Sequence, residues 1–251
     1  MRVAVFADVH AHAEALEAVL AAAGRAGVDE RWSLGDMFGT GLDAVRVATL
    51  VRASCALAMC GNHDLAVTRS IDPARFGPPG SAGVLSLELA TAALGAAGLL
   101  DWVRGLKPAR RRAGVQCWHA SPRDPVREYV GPANAAACLA RQRAPVGLVG
   151  HTHVAAAWHA TPDGAVRAVR IEVDRPLPLT AGKWLLNPGA VGATLPPRGT
   201  WAEALERHAR AGASWLELDL DARVATWRRA PLTATVQPRA GVSGIAGTIA
   251  V

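Results

Sequence analysis

The chain has 251 residues, a length that allows one large domain or two small ones. Hydrophobic residues make up 51% and charged residues 19%, a balance that supports a sizeable core and excludes wholesale disorder. The net charge of +6 comes almost entirely from arginine, since Lys107 and Lys183 are the only lysines. Because the arginines are dispersed, we interpret them as solvated surface residues. The densest group, residues 110–112, is predicted to be a solvated turn and not a nucleic-acid stripe.

The cysteines and the apolar segments point to a cytoplasmic protein with no membrane association. The four cysteines lack CxxC spacing, and in apolar stretches they behave as small hydrophobic residues. No charged-then-apolar leader follows Met1. The longest apolar window, residues 89–100, is too short to span a bilayer.

The first part of the chain alternates strands and helices. The composition predicts, in order, a strand at 3–7, a helix at 13–26, a strand at 31–34, a helix at 43–52 and a strand at 55–59. This alternation is typical of βαβ units and a largely parallel sheet.

Strands dominate the later part. A proline- and glycine-rich loop at 71–83 and a helix at 84–103 come first. Hairpins are predicted to turn at Asp163-Gly164 and around Asp219–Asp221. We expect one domain over residues 1–251, with 231–251 as a loosely packed extension. The later strands are predicted at 115–118, 146–149, 155–159, 165–173, 184–186, 215–220 and 223–228.

Residue types that commonly bind metals follow five of the predicted strands. In open α/β sheets, ligands bind beyond the carboxyl ends of the strands. Successive strands end, in chain order, at Asp8 and His10; at Asp36; at Asn62, His63 and Asp64; at His119; and at His151 and His153.

These residues predict a metal centre. Any one histidine alone is better interpreted as an ordinary core or loop residue. Five of the eight histidines, grouped with carboxylates, would instead be costly to bury without a compensating partner. Mixed imidazole and carboxylate ligands suit manganese, iron, zinc, cobalt or nickel better than calcium or magnesium alone, and ligands enough for two ions indicate a paired site.

The motifs carrying these residues resemble those of the calcineurin-like metallophosphoesterase superfamily, in particular its small bacterial phosphodiesterase and phosphatase branch. The similarity covers roughly residues 2–230 and is specific because five separate motifs occur in order. The segments 119–124 and 187–192 also resemble that branch, the second with alanine where the branch has serine. The five motifs are Asp8-Val9-His10, Gly35-Asp36, Gly61-Asn62-His63-Asp64, His119 and Gly150-His151-Thr152-His153.

The resemblance implies a four-layer α/β/β/α sandwich with two mixed sheets, the strands between 146 and 228 supplying a second sheet. It also implies two divalent ions, with manganese expected and iron, zinc, nickel, cobalt or magnesium as alternatives. Asp8, His10 and His153 would hold one ion; Asn62, His119 and His151 would hold the other. Asp36 would bridge both, and a hydroxide between the ions would attack phosphorus.

His63 would protonate the leaving oxygen, and Asp64 would either orient it or act as a helix N-terminal charge. Arg123 and Arg127 are candidate substrate contacts, although solvated loop arginines are the simpler interpretation. His12, which stands where many relatives have asparagine, is a poor helix cap, so we expect a different helix start. With His159 and His208, it is interpreted as structural.

The resulting hypothesis is a hydrolase of phosphodiesters, and of phosphomonoesters as a second substrate type, acting on small or nucleotide-like molecules. Residues 35–41 lack the arginine and second aspartate of protein phosphatases, which argues against that branch. The alternatives are a nuclease acting on nucleic acid and a non-catalytic scaffold stabilised by metal. The pocket wall is expected from residues 71–83 and the segment after His119, and oligomeric state is left open.

Overall fold

The computed structural model describes residues 1–193 and 201–232, which form two β-sheets and their covering helices. The helices are α1 (Ala13–Ala26), α2 (Ala44–Ser54), α3 (Asn62–Val67), α4 (Ala82–Ala96), α5 (Leu100–Gly105), α6 (Ala135–Arg141) and α7 (Trp201–Ala211), with a 3₁₀ turn at Pro73–Phe76. The strands are β1 (Arg2–Phe6), β2 (Glu30–Ser33), β3 (Leu57–Ala58), β4 (Ala109–Arg112), β5 (Val115–Trp118), β6 (Val146–Leu148), β7 (Ala156–Ala160), β8 (Val166–Val169), β9 (Leu177–Pro178), β10 (Lys183–Asn187), β11 (Ala213–Asp219) and β12 (Val224–Ala230).

Both sheets have six strands and mix parallel with antiparallel pairs. The first runs in the order β3-β2-β1-β11-β12-β9, and β1, β2 and β3 are parallel as the βαβ pattern predicted. The second runs β4-β5-β6-β10-β7-β8, and β5, β6 and β10 are parallel within it. The hairpins β7–β8 and β11–β12 turn where the sequence predicted.

Alternation along the strands gives each sheet two buried faces. In β1, Val3 and Val5 belong to the core between the sheets, whereas Ala4 and Phe6 belong to the core beneath helices α1 to α5. The outer face of the second sheet packs against α6, for example through Leu185. The order of layers is therefore helices, sheet, sheet, helix, which confirms the predicted four-layer sandwich.

Residues 109–112 form an edge strand, so the predicted turn of arginines is wrong. The real turn comes next, at Ala113 and Gly114, whose φ angles are 46° and 81°. β4 pairs antiparallel with β5. Arg112 makes a bidentate ion pair with Glu30, in which Nε and Nη2 each lie 2.7 Å from a carboxylate oxygen. Charged side chains suit an edge strand because they discourage pairing with a further strand. The sequence did not indicate an edge strand because three consecutive arginines after a proline are also typical of a turn.

Three further segments differ from the prediction. The helix expected over 84–103 is divided into α4 and α5 at Gly98, whose φ of 67° is the left-handed conformation that ends helices. Helix α6 was not predicted, because its seven residues carry too few periodic positions. β11 and β12 join the first sheet, not the second, because β11 pairs with β1.

Within the described ranges, no helix is long and apolar enough to cross a membrane. Most of the predicted C-terminal extension, residues 233–251, lies outside the described residues, as do residues 194–200.

Candidate metal centre

The predicted ligand residues occupy unusual backbone conformations at the strand ends. Ten non-glycine residues of the described chain have left-handed φ angles, and half of them are predicted ligands. Such conformations cost of order 1–3 kcal/mol each and persist where the surroundings enforce them. Here hydrogen bonds between loops enforce them, such as the amide of His10 donating to the carbonyl of Asp36 at 3.1 Å. The five residues are Asp8, His10, Asp36, His151 and His153.

One group of side chains converges near the end of β1. The ligand atoms of Asp8, His10, Asp36 and His153 all lie within 4.8 Å of one another. The Nδ1 atom of His10 lies 3.1 Å from the carbonyl oxygen of Phe38, so it must be the protonated nitrogen that donates. Its Nε2 atom therefore presents a lone pair, and it lies 3.0 Å from Nε2 of His153.

A second group shares Asp36 with the first and adds His119 and His151, again with ligand atoms within 4.8 Å. Nδ1 of His119 donates to the carbonyl of Leu34 at 3.1 Å. Its Nε2 atom lies 3.1 Å from Oδ1 of Asn62 and 3.4 Å from Oδ2 of Asp36. Nε2 of His151 donates to the carbonyl of Arg127 at 3.2 Å, which leaves Nδ1 free.

Burial and neighbouring charges shift the pKa values of the clustered side chains strongly. Burial raises the pKa of the Asp8 carboxyl well above its usual value. Burial also acts to raise the pKa of Asp36, but the surrounding imidazoles outweigh it and hold the pKa well below its usual range. Burial alone would lower the pKa of His119, yet the carboxylates around it raise it to about 9. Burial lowers the pKa of His151 and of His153 to about 4.

These side chains fit two divalent cations. Nε2 of His10 lies 3.0 Å from Nε2 of His153, and Nε2 of His119 lies 3.1 Å from Oδ1 of Asn62, so potential ligand atoms converge in both groups. Oδ2 of Asp36 is buried without a hydrogen-bond partner. A cation between such atoms satisfies them together, and ligating histidines ordinarily donate their second nitrogen to a carbonyl, as His10 and His119 do here.

His63 lies at the edge of the cluster. Its ring contacts that of His10 edge-on, with 4.7 Å between centroids, and its own amide donates to Oδ1 of Asp36 at 2.9 Å. Its Nδ1 atom is buried without a hydrogen-bond partner. Burial lowers the pKa of His63. The ring therefore lies beside the predicted ligands.

Asp64 braces the backbone around the site. One oxygen accepts from the amides of Met37 and Phe38 at 2.9 and 3.2 Å, and the other accepts from the amide of Gly61 at 2.9 Å. Both oxygens are thus occupied by the backbone, and the contacts favour the helix-terminus interpretation over orientation of His63. Burial raises the pKa of Asp64 to about 7.

The two candidate arginines lie on an exposed loop beside the centre. Arg123 forms an ion pair with Glu128 at 3.5 Å, and its side chain is 46% exposed. Arg127 is also exposed, and its backbone carbonyl, not its guanidinium, contacts His151. These contacts agree with the simpler interpretation of solvated loop arginines.

Three residues near the centre had no role assigned from the sequence. Asn187 donates to the carbonyl of Gly150 at 2.7 Å and to the hydroxyl of Thr152 at 3.0 Å, so it holds the backbone on both sides of His151. Its motif was recognised, but a sequence pattern does not show what the amide contacts. The other two residues are aromatic: Phe76 contacts His63 and Tyr129 stacks on His151. They lie in the two segments expected to form the pocket wall.

Helix α1 starts without a side-chain cap, as the histidine at position 12 predicted. His12 makes no capping hydrogen bond, and burial lowers its pKa to about 4. His159 stacks on Trp184 away from the cluster. His208 lies 6.3 Å from His12 between ring centroids.

Substituting Gly61 by alanine is expected to lower metal affinity by about 10–100-fold. A Cβ atom at this position would lie 2.5 Å from Cε1 and 2.6 Å from Nε2 of His119, and closer still to Oδ1 of Asp36. Both side chains would have to move. Gly95→Ala is the matched control, because a Cβ there meets nothing within 4 Å. Titration of metal into both variants measures the effect, and equal affinities would contradict it.

Comparison with known proteins identifies the family and the fold. The model of the calcineurin-like phosphoesterase superfamily domain matches residues 1–204. A metallophosphoesterase from Sphaerobacter thermophilus is 30% identical, with 93% of this chain and 90% of that chain covered and a TM-score of 0.72. A hypothetical protein from Pyrococcus horikoshii OT3 shares the fold at 16% identity, with 93% and 89% covered and a TM-score of 0.66. No curated protein matches the sequence.

The fold and the clustered ligands define a metal-dependent phosphoesterase. The chain belongs to the calcineurin-like phosphoesterase superfamily, which confirms the resemblance drawn from its five motifs.

Proposed function

We propose that this protein hydrolyses phosphodiesters of small or nucleotide-like molecules at a centre of two divalent metal ions. The observation that carries the proposal is the pair of ligand groups that share Asp36. One ion would be held by Asp8, His10, Asp36 and His153. The other would be held by Asp36, Asn62, His119 and His151.

Manganese is the ion we propose for both positions, because the donors mix imidazole nitrogen with carboxylate and amide oxygen and include no thiolate. Cys60 is the cysteine nearest to these motifs in sequence, and burial raises its pKa to about 12, so it stays a protonated thiol. When bound, the two ions supply a nucleophilic water near neutral pH and neutralise charge on the phosphoryl oxygens.

The chain itself would position the substrate and handle the proton. Buried Asp8 and Asp36 keep the ligand set rigid and free of bulk water. His63 would donate a proton to the leaving oxygen. No protein group among the described residues occupies its Nδ1 atom, so none competes there with a substrate oxygen. Asp64 and Asn187 would hold the loops that carry these side chains.

Reconstitution with manganese tests the proposal. After removal of metal, we expect the protein to take up two ions per chain and then to hydrolyse bis(p-nitrophenyl) phosphate faster than p-nitrophenyl phosphate. Elemental analysis gives the metal content, and release of p-nitrophenolate gives the rates. The ligand set is assembled by the fold, so each bound ion should raise the free energy of unfolding by about 2.7 kcal/mol at a metal concentration a hundred times its Kd.

A folded sample that takes up no manganese and hydrolyses neither ester between pH 6 and pH 10 would exclude the two-metal hydrolase.

A further inference from the structure

An exposed aromatic ring covers one ligand of the proposed centre. Tyr129 is the only tyrosine of the chain, and 65% of it is exposed. Its ring stacks on the imidazole of His151, with 4.1 Å between centroids and 23° between planes. One face of the phenol ring is thus covered by the imidazole, and the opposite face is open to solvent.

The loop that carries Tyr129 is firmly held. The hydroxyl of Ser121 donates to Glu128 at 2.5 Å, and the side-chain amide of Asn134 donates to the carbonyl of Tyr129 at 2.9 Å. Two residues before Tyr129, the carbonyl of Arg127 accepts from His151. An aromatic ring on a braced loop loses little conformational entropy when a ligand stacks on it.

Other exposed apolar side chains lie close in sequence to the proposed ligands. Six large hydrophobic residues of the described chain are well exposed, and three of them belong to segments that carry the proposed ligands. Val154, 64% exposed, directly follows His153. Leu42, 62% exposed, follows Gly41, whose amide donates to the carbonyl of His10. Tyr129 is the third, and its ring contacts a proposed ligand directly.

The two aromatic residues of the pocket wall lie beside different parts of the centre. Phe76 contacts His63, with 4.4 Å between ring centroids, and therefore lies near the proposed leaving oxygen. Tyr129 lies on His151, in the other ligand group. A substrate phosphorus held between His63 and His151 would have its leaving group on the side of Phe76 and its retained group on the side of Tyr129.

We propose that Tyr129 stacks with a planar aromatic group on the retained side of the phosphodiester, which makes the substrate class one of nucleobase-bearing diesters. This inference rests on the proposed function. A nucleobase has a flat π-face that matches the open face of the phenol ring, and such stacking contributes about 1–3 kcal/mol per base. An alkyl group offers no comparable face.

Two substrates with the same leaving group test the proposal. Thymidine 5′-(p-nitrophenyl phosphate) and methyl p-nitrophenyl phosphate both release p-nitrophenolate, and they differ in the retained group. We expect Tyr129→Ala to lower the ratio of their kcat/KM values about tenfold, the change that 1.4 kcal/mol of lost stacking produces. Tyr129→Phe keeps the ring and should keep the ratio. Leu89→Ala, which removes another exposed side chain (59% exposed, on α4), is the matched control and should leave both rates unchanged.

A binding measurement separates this inference from the proposed function. By calorimetry, Tyr129→Ala should weaken binding of thymidine 5′-monophosphate about tenfold while metal content stays at the wild-type level. Equal losses on both diesters, or unchanged thymidine monophosphate binding, would show that Tyr129 only supports His151 and would overturn the inference. Wild-type protein that binds thymidine monophosphate through Tyr129 but cleaves neither diester would contradict the proposed function alone.

Discussion

Asp36→Asn is expected to lose at least about a thousandfold in phosphodiester turnover and to bind fewer metal ions than the wild type. Asp36 is the side chain that the two ligand groups share, and it is fully buried. The substitution keeps the size and shape of the side chain but removes its negative charge and replaces one oxygen with an amide donor. Two cations cannot then share it.

The matched control is Asp101→Asn, since Asp101 is 90% exposed and pairs with Arg104 on the same helix turn. It should retain wild-type metal content and turnover, because surface ion pairs of this kind contribute little. Metal analysis, kcat/KM and circular dichroism should be measured on both variants. An Asp36→Asn protein that holds two ions at wild-type turnover would remove the basis of the shared-carboxylate assignment.

His63→Ala is expected to retain its metal and to lose about 10²–10⁴-fold in turnover of substrates with poor leaving groups. His63 contacts His10 and Phe76 but belongs to neither ligand group. Removal of the imidazole therefore takes away the proposed proton donor and leaves the ligand atoms in place.

The leaving group supplies the internal control for this prediction. p-Nitrophenolate departs without protonation, whereas an alkoxide needs a proton, so the loss should be much smaller for p-nitrophenyl esters than for alkyl esters. His63→Asn tests whether a side chain of similar shape restores the rate. Equal losses on both classes of ester, or loss of metal along with activity, would show that His63 supports the ligands and does not deliver a proton.

The regular parts of the first sheet could be predicted from local sequence. Apolar and β-branched runs ending in Asp8, Asp36 and Asn62 indicate parallel strands, and parallel strands deliver their carboxyl ends to one edge. The structure places Asp8 and Asp36 there in groups whose ligand atoms lie within 4.8 Å of one another, and it places Oδ1 of Asn62 3.1 Å from Nε2 of His119. The positions of these residues after successive strands were sufficient to predict their proximity, because parallel strands bring their carboxyl ends to one edge of the sheet.

Partners of particular atoms could not be predicted in this way. From the sequence, Asp64 was equally suited to orient His63 or to act as a charge at a helix N-terminus. In the structure its carboxylate accepts hydrogen bonds from the backbone amides of Gly61, Met37 and Phe38, which favours the second role. The arginines at 110–112 suggested a turn because charge alone does not show a strand at the edge of a sheet. Their pairing with β5 depends on the turn at Ala113 and Gly114.

By itself, the sequence determined the set of candidate ligands, because residue type and the predicted strand ends indicate them. The class of the protein and the four layers followed from the resemblance that the order of its motifs revealed. The tertiary structure alone decided what Asp64 and Asn187 contact, and that Tyr129 covers His151. The physical reason is that these features depend on distances of a few ångströms between loops far apart in the chain. Such distances are set by the packing of the whole fold, which no local pattern of residues records.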